Sequence, residues 1–352
     1  MIETVSLEIH DHLIKICRAS FQKGKASIHL ARRELSSKDD KAISDQIAVL
    51  LKELEISQKK IFLNIPRHLV FARFLRLPSV NDNEIRSMVS MEAVRHVPHT
   101  AEEMTTDYRI IEKSADGYSN VLLVMVQSNI IGRLISIAKD AGLDVEKAAF
   151  GSESLFGWYA FALHEKSQAP DEQPAVLITV DRDYIDIDVI EDGKLVFTRA
   201  LSYGPQNPFE GVEAAGEIER TIAIYKKAAK MNVGRIYISG AENKVNDIQS
   251  PFLGKTEALS LEAISQTKDI EIKGLIDVDL SEASFVELIG LALKFNMLKI
   301  NLLPEKIRET RNLRLLKKSL SKTAILLIAA SFIVFTAMAK AIYDKSRYMA
   351  VL

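Results

Sequence analysis

AVLITVDRDYIDIDVIEDGKLVFTRALSYG, residues 175–204, reads as three consecutive short strands. Ala175–Val180 is almost continuously apolar, Asp181-Arg182-Asp183 makes a tight turn, and Asp192-Gly193 suits the turn into the third strand. Helical spacing follows in Ala214–Lys230, where Ile218, Ile222, Tyr225 and Ala229 share a face. Arg235–Ser239 is then a short buried strand and Phe285–Phe295 a closing helix.

The N-terminal half repeats this order. Glu3–Ser20 (ETVSLEIHDHLIKICRAS) alternates around a polar centre, as a hairpin does. Lys23-Gly24-Lys25 is a second turn and Ala26–Arg32 a third strand. Asp39–Leu54 carries Ile43, Ile47, Leu50, Leu51 and Leu54 at helical spacing. Ile61–Pro66 and His68–Leu77 read as strands split at Pro66, and Asn81 with Glu84 as a capping box opening a helix that ends before Pro98. Asp107–Glu112 and Asn120–Gln127 are strands either side of Ala115-Asp116-Gly117; Ile130–Ala141 is a helix with Gly142 as its C-cap. Val145–Phe150 is a strand and Glu153–Leu163 a helix, with Trp158 in the core. His164–Pro174, polar with two prolines, is the linker. Three strands followed by alternating helices and strands, twice over, make a duplicated α/β architecture.

Of 352 residues, 47% are apolar and 26% charged, the balance of a globular chain. The single cysteine, Cys17, excludes a disulfide framework, fits a reducing compartment and reads as a core residue. Met1–Ser20, interrupted by Glu3, Glu8, His10 and Asp11, does not read as a signal peptide. The net charge of -1 hides an asymmetry: from Asn301 onward stand ten of the 46 basic and three of the 47 acidic residues, leaving 36 against 44 before it. An acidic body with a basic tail is not a nucleic-acid-binding profile. Thr323–Ala339 (TAILLIAASFIVFTAMA) is uncharged and, at about 25 Å as a helix, just long enough to span a bilayer. Lys306, Arg308, Arg311, Arg314, Lys317, Lys318 and Lys322 precede it, which places the N-terminal body in the cytoplasm. Residues 340–352 are too few for a domain and read as the start of a periplasmic helix.

Several stretches, in this order and spacing, resemble the type IV pilus assembly protein PilM family and the cytoplasmic part of type II secretion protein L. They are Arg73–His99, Val121–Leu155, Val176–Leu201, Glu217–Ala228 and Arg235–Ala241. The resemblance implies an actin-like (ribonuclease H-like) fold of two lobes, 1–165 and 174–299, with a small α+β domain inserted at about 67–127, and one C-terminal transmembrane helix. Ile300-Asn301-Leu302-Leu303-Pro304, ahead of the basic stretch, resembles the N-terminus of PilN, a peptide that docks into a groove on PilM. Residues 300–322 would then be a PilN-like juxtamembrane segment whose Asn301 hydrogen-bonds to a groove that Leu302 and Leu303 fill. The alternative is a solvent-facing connector.

Actin-like folds hold phosphates in the turns of two hairpins, where glycine lets backbone N–H groups approach. In the family pattern the first such turn places Glu8 and His10 here, with His10 at the glycine position; the second places Thr179 for the acid and Asp181 for the glycine. The adenosine-side turn keeps one glycine, Gly240. The expectation is a degenerate nucleotide site with no cofactor and no catalytic residue; a membrane-anchored actin-like ATP-binding protein or ATPase is the alternative. His10, Asp11 and His12 invite a metal reading but lack further ligands nearby, and a solvated turn is preferred. Asp181, Asp183, Asp186 and Asp188 lack the glycine and glutamate of a calcium loop and read as the polar side of a half-buried hairpin. His96 and His99 read as surface residues. No P-loop, dinucleotide fingerprint or Ser-His-Asp arrangement is present. The family resemblance implies a non-enzymatic scaffold of a type IV pilus or type II secretion platform in the bacterial inner membrane. Its partners would be the assembly ATPase, inner-membrane and periplasmic platform proteins, membrane lipid and further subunits in an oligomer, with no nucleic acid.

Overall fold

The computed structural model describes residues 2–10, 13–22, 25–95, 103–164, 173–204, 210–252, 258–260, 270–311, 313, 328, 331–332 and 335–340. Asp11, His12, the Lys23-Gly24 turn, His96, Pro98, His99, residues 165–172 of the linker and most of Thr323–Ala339 lie outside these. The chain divides into two compact units, Met1–Leu302 and Leu303–Leu352.

The first unit opens with an antiparallel meander of β1 (Ile2–His10), β2 (Leu13–Gln22) and β3 (Lys25–Glu34), in which Ile9 lies opposite Ile14 and Cys17 opposite Leu30. Its alternating apolar residues are buried, among them Val5, Leu7, Ile16, Cys17 and Ile28. Helix α1 (Asp40–Glu53) starts at Asp39, whose carboxylate accepts from the Ala42 N–H at 3.0 Å, and buries Ile43, Ile47, Leu50 and Leu51. Strand β4 (Lys60–Ile65) then lies parallel to β1. Pro66 ends it as expected, but the next residues, Arg67–Leu69, form a 3-10 turn before β5 (Phe71–Leu77).

Strand β5 belongs to a separate sheet with β6 (Met104–Lys113) and β7 (Ser119–Gln127), ordered β5-β7-β6 and covered by α2 (Asp82–Arg95) through Ile85, Val89 and Ala93. The start of α2 keeps one half of the expected capping box, with the Glu84 N–H donating to Asn81 Oδ1 at 3.4 Å, and departs from the other half. Asn81 accepts from the Asn83 N–H, but the Glu84 carboxylate bonds the Ser79 hydroxyl at 2.5 Å, and that hydroxyl accepts from the Asn81 N–H. Ser79 thus stands between the two members of the expected pair.

Helix α3 (Ser128–Asp140) leads into β8 (Asp144–Phe150), parallel to β4, and α4 (Gly151–His164) follows. The second half repeats the pattern with β9 (Ala175–Val180), β10 (Tyr184–Glu191), β11 (Lys194–Ser202), α5 (Gly211–Ala229), β12 (Arg235–Gly240), α6 (Glu242–Phe252) and β13 (Ala258–Ser260). Its sheet runs β11-β10-β9-β12-β13, the same antiparallel and parallel pairings as β3-β2-β1-β4-β8. Two such sheets in one chain constitute the duplicated ribonuclease H-like, actin-like architecture. The polypeptide then crosses back. β14 (Ile270–Ile276) pairs parallel with β3, at the edge of the first sheet, although it falls within the range 174–299 expected for the second lobe.

Helix α7 (Val286–Lys294) is the counterpart of α4 and packs against it. The two backbones touch: a Cβ on Gly290 would lie 2.1 Å from the Ser154 carbonyl oxygen. Trp158 and Phe285 are fully buried near this crossing.

In the second unit, residues 305–311 and 335–340 are helical. Ile328, Phe332, Phe335 and Met338 are helical and exposed. Among the described residues no helix is long and apolar enough to cross a membrane.

Candidate functional site

The two hairpins singled out in the sequence meet, and a lysine joins them. Lys15, on β2, is buried and donates to Glu8 Oε1 at 3.0 Å and to Asp181 Oδ2. Glu8 stands on β1 of the first sheet, whereas Asp181 opens the β9–β10 turn of the second. Burial alone would lower the Lys15 pKa, but the charges of Asp181 and Glu8 outweigh it and hold the group above the ordinary lysine range. Burial likewise raises Asp181, and Lys15 with the backbone N–H groups of Ser284 (3.1 Å) and Arg182 (2.8 Å) brings it below the ordinary value.

Asn64, at the end of β4, extends the network by donating to Glu8 Oε2 at 2.6 Å and to Glu287 Oε2 at 2.7 Å while accepting from the Ser154 hydroxyl at 2.7 Å. Glu287, on α7, faces Asp186 on β10. Burial is the chief cause that pushes Glu287 up to about 8 and Asp186 well above the carboxylate range, and both Asp186 oxygens and Glu287 Oε1 are buried without a hydrogen-bond partner among the described residues. Asp188 is pushed up to about 6 by burial, opposed by the Thr198 and Ser152 hydroxyls and by Arg67. Arg67 is held at 2.6 Å from both Thr198 Oγ1 and the Val70 carbonyl.

This corrects the reading of Asp186 and Asp188 as the polar side of a half-buried hairpin, since both are fully buried. Their face of β10 is covered by the Arg67–Leu69 turn and by the α7 carboxylate. His10 Nε2 lies 3.1 Å from His68 Nε2, with the Tyr184 ring beside both imidazoles. Among the described residues no three His, Cys, Asp or Glu side chains are placed to hold a metal ion.

Beside the two hairpins stand the Glu8 and Asp181 carboxylates, whose two negative charges the single Lys15 ammonium half offsets. Thr179 is buried against Ser239 at 3.5 Å. Gly240 has a structural reason: at φ +129°, a Cβ there would sit 2.0 Å from the Val180 carbonyl oxygen, so glycine is required for β12 to close on β9.

A second constellation lies at the outer edge of β8. The backbone N–H groups of Lys299 and Ile300 donate to the two oxygens of the buried Glu153 carboxylate at 3.2 and 3.0 Å. The Asn301 amide oxygen accepts from the Ala148 N–H at 3.1 Å, and the Leu302 N–H donates to the Ala148 carbonyl at 2.7 Å. The outward-facing polar groups of Ala148, exposed by an edge strand, are thereby satisfied. The Asn301 N–H donates to Asp107 Oδ2 on β6 at 2.7 Å, which ties the same residue to the inserted sheet. Lys147 donates to the Leu298 carbonyl. Ile300 and Leu302 are fully buried, an apolar transfer worth about 1.5–3 kcal/mol each. Leu303 and Pro304 begin the second unit.

Sequence reasoning did not find Lys15, Asn64, Arg67 or Glu287. A signal existed for two of them: Lys15 interrupts the apolar run Leu13–Cys17, and Glu287 is the lone acid of α7, apolar from Leu288 to Leu293.

The profile of the type IV pilus assembly protein PilM family matches residues 25–208. The solved PilM-PilN type IV pilus biogenesis complex superposes with a TM-score of 0.67 at 14% identity, over 83% of this chain and 98% of that one. The cytoplasmic domain of EpsL, an inner membrane component of the type II secretion system of Vibrio cholerae, gives 0.50 at 11% identity over 87% and 99%. At such identities these likenesses speak for the fold alone. A comparison with curated proteins finds no match. With its profile spanning more than half of the sequence, the chain belongs to the PilM family of type IV pilus assembly proteins.

Proposed function

We propose that this chain is a non-enzymatic scaffold of a type IV pilus or type II secretion platform, anchored in the bacterial inner membrane by Thr323–Ala339 with its body in the cytoplasm. The observation that carries the reading is the seating of Lys299–Leu302 on β8 and β6. The peptide that leads to the basic stretch is fastened to the body, and a pull on the anchor reaches both sheets through Asn301. The exposed apolar side chains of the helical residues Ile328, Phe332, Phe335 and Met338 support a lipid environment for this segment. In this reading the chain joins in one polypeptide what the solved complex named above holds as PilM and PilN. Its partners are an assembly ATPase in the cytoplasm and membrane and periplasmic platform proteins, and it binds no nucleotide.

Replacing Leu302 and Leu303 with serine tests the docking. Leu302 alone should cost about 3 kcal/mol of tail seating. In the full chain in detergent, trypsin should then cut at Lys299 and Arg308 at least tenfold faster than in the parent. Unchanged protection would overturn the docked tail. Release of the full chain from membranes by carbonate without detergent would overturn the anchor. A saturable rise in melting temperature with Mg-ATP would favour an anchored actin-like ATPase instead.

A further inference from the structure

We infer that Lys15 is a tethered cation that clamps the two sheets together, so that the cleft of this actin-like body is closed from within and needs no exchangeable ligand. The inference deepens the nucleotide-free reading above and rests on it.

Three geometric facts support it. Glu8 and Asp181 come from opposite sheets and converge on one nitrogen, Lys15 Nζ, which therefore marks a point that a compact cation can occupy. All three side chains are almost completely buried, so water neither screens the attraction nor competes for it. Each carboxylate is also fixed by a second donor, Glu8 by Asn64 and Asp181 by the Ser284 and Arg182 N–H groups, so the pair is preorganised around the nitrogen. An ammonium on a side chain cannot leave, whereas a metal ion or a ligand-borne cation can. An actin-like cleft held by a bound ligand opens when the ligand departs; this one stays shut, as a body that transmits force between the membrane and a partner requires.

Removing the ammonium leaves two buried carboxylates of opposite sheets facing a vacated space. Repulsion and desolvation should then open the cleft unless a free divalent cation enters. The full chain in detergent should show no change of melting temperature with Mg2+, Ca2+, EDTA or Mg-ATP. Lys15→Ser should melt lower by roughly 6–10 °C and recover at least half of the loss in millimolar Ca2+. Lys15→Met, which fills the space, should fall similarly and not recover. A triple variant, Glu8→Gln with Lys15→Met and Asp181→Asn, should lie near the parent and ignore Ca2+, because no uncompensated charge remains. That variant keeps the test decisive where Lys15→Ser does not fold.

Four outcomes overturn the clamp: Lys15→Ser melting with the parent, no recovery in Ca2+, a triple variant that fails to fold, or a parent stabilised by Mg-ATP. None of the first three touches the docked tail, which the protease experiment judges separately.

Discussion

Gly290→Ala should destabilise the Met1–Leu302 unit by about 4 kcal/mol or more. The added Cβ would stand 2.1 Å from the Ser154 carbonyl oxygen and 2.5 Å from the Trp158 backbone nitrogen. Both are backbone atoms of α4, so no rotamer change relieves the clash. The helices must separate by about 1 Å or more, and the contacts along their crossing are lost together. Gly157 faces the same crossing less tightly: its Cβ would meet the Gly290 carbonyl oxygen at 2.9 Å. Gly157→Ala should therefore cost less, about 1–2 kcal/mol. Trp158 is the chain's one tryptophan and is buried at the crossing, so its fluorescence in a urea titration of the full chain reads the effect directly. A Gly290→Ala midpoint equal to that of the parent would mean that α4 and α7 do not touch as described.

The consequence of this crossing is positional. It places Glu287 one turn away from Gly290, against Asn64 and Asp186, and a bulkier residue at the crossing would withdraw that carboxylate from the cleft. Packing and polar network are one construction.

The two meanders were legible because strand alternation and turn chemistry are local: the Asp192-Gly193 turn and the Leu7–Ile16 pattern announce themselves within ten residues. Helix α1 was legible for the same reason, through its apolar face, to which the structure adds the Asp39 cap. Strand β14 was not. Glu271-Ile272-Lys273-Gly274 is polar and interrupted, and it becomes a strand only by pairing with β3, about 240 residues earlier. The cleft was legible in its turns but not in its content. That His10 and Asp181 replace small residues of a family pattern could be seen by resemblance. That Lys15 would reach Asp181 across 166 residues of chain depends on how two sheets face each other, and no periodicity encodes that. Burial of Asp186 and Asp188 misled for a related reason: period-two alternation looks the same whether the polar face meets water or a second layer.

The buried acid pair carries the last large expectation. The expectation is that Asp186 and Glu287, both raised by burial and with facing oxygens that have no other partner, share a proton in the folded chain that the unfolded chain releases near the ordinary carboxylate values. A group whose folded pKa is raised stabilises fully below its unfolded value and loses that contribution as pH rises through the folded value. Here the loss begins near the ordinary value of 4.5 and continues to about 8 for Glu287, at about 1.4 kcal/mol per pH unit for one extra bound proton. The network should thus lose on the order of 4–5 kcal/mol between mildly acidic and mildly alkaline conditions. Asp188 adds a smaller loss that ends near pH 6. Asp181 works in the opposite sense: its depressed value stabilises above the ordinary aspartate range and is lost on acidification, which sets the acid limit of the optimum. Glu287→Gln isolates the pair. The amide oxygen still accepts from Asn64, and the amide N–H supplies Asp186 with the hydrogen that the proton had provided, without titrating. Asp186→Asn should act alike from the other side. Either variant, followed by urea midpoints of the full chain from pH 5 to pH 8, should flatten most of the slope and become the more stable protein at the alkaline end. If the parent's midpoint is flat across this range, or if Glu287→Gln keeps the parent's slope, the two carboxyls do not share a proton, and Glu287 is held at the cleft by Asn64 alone.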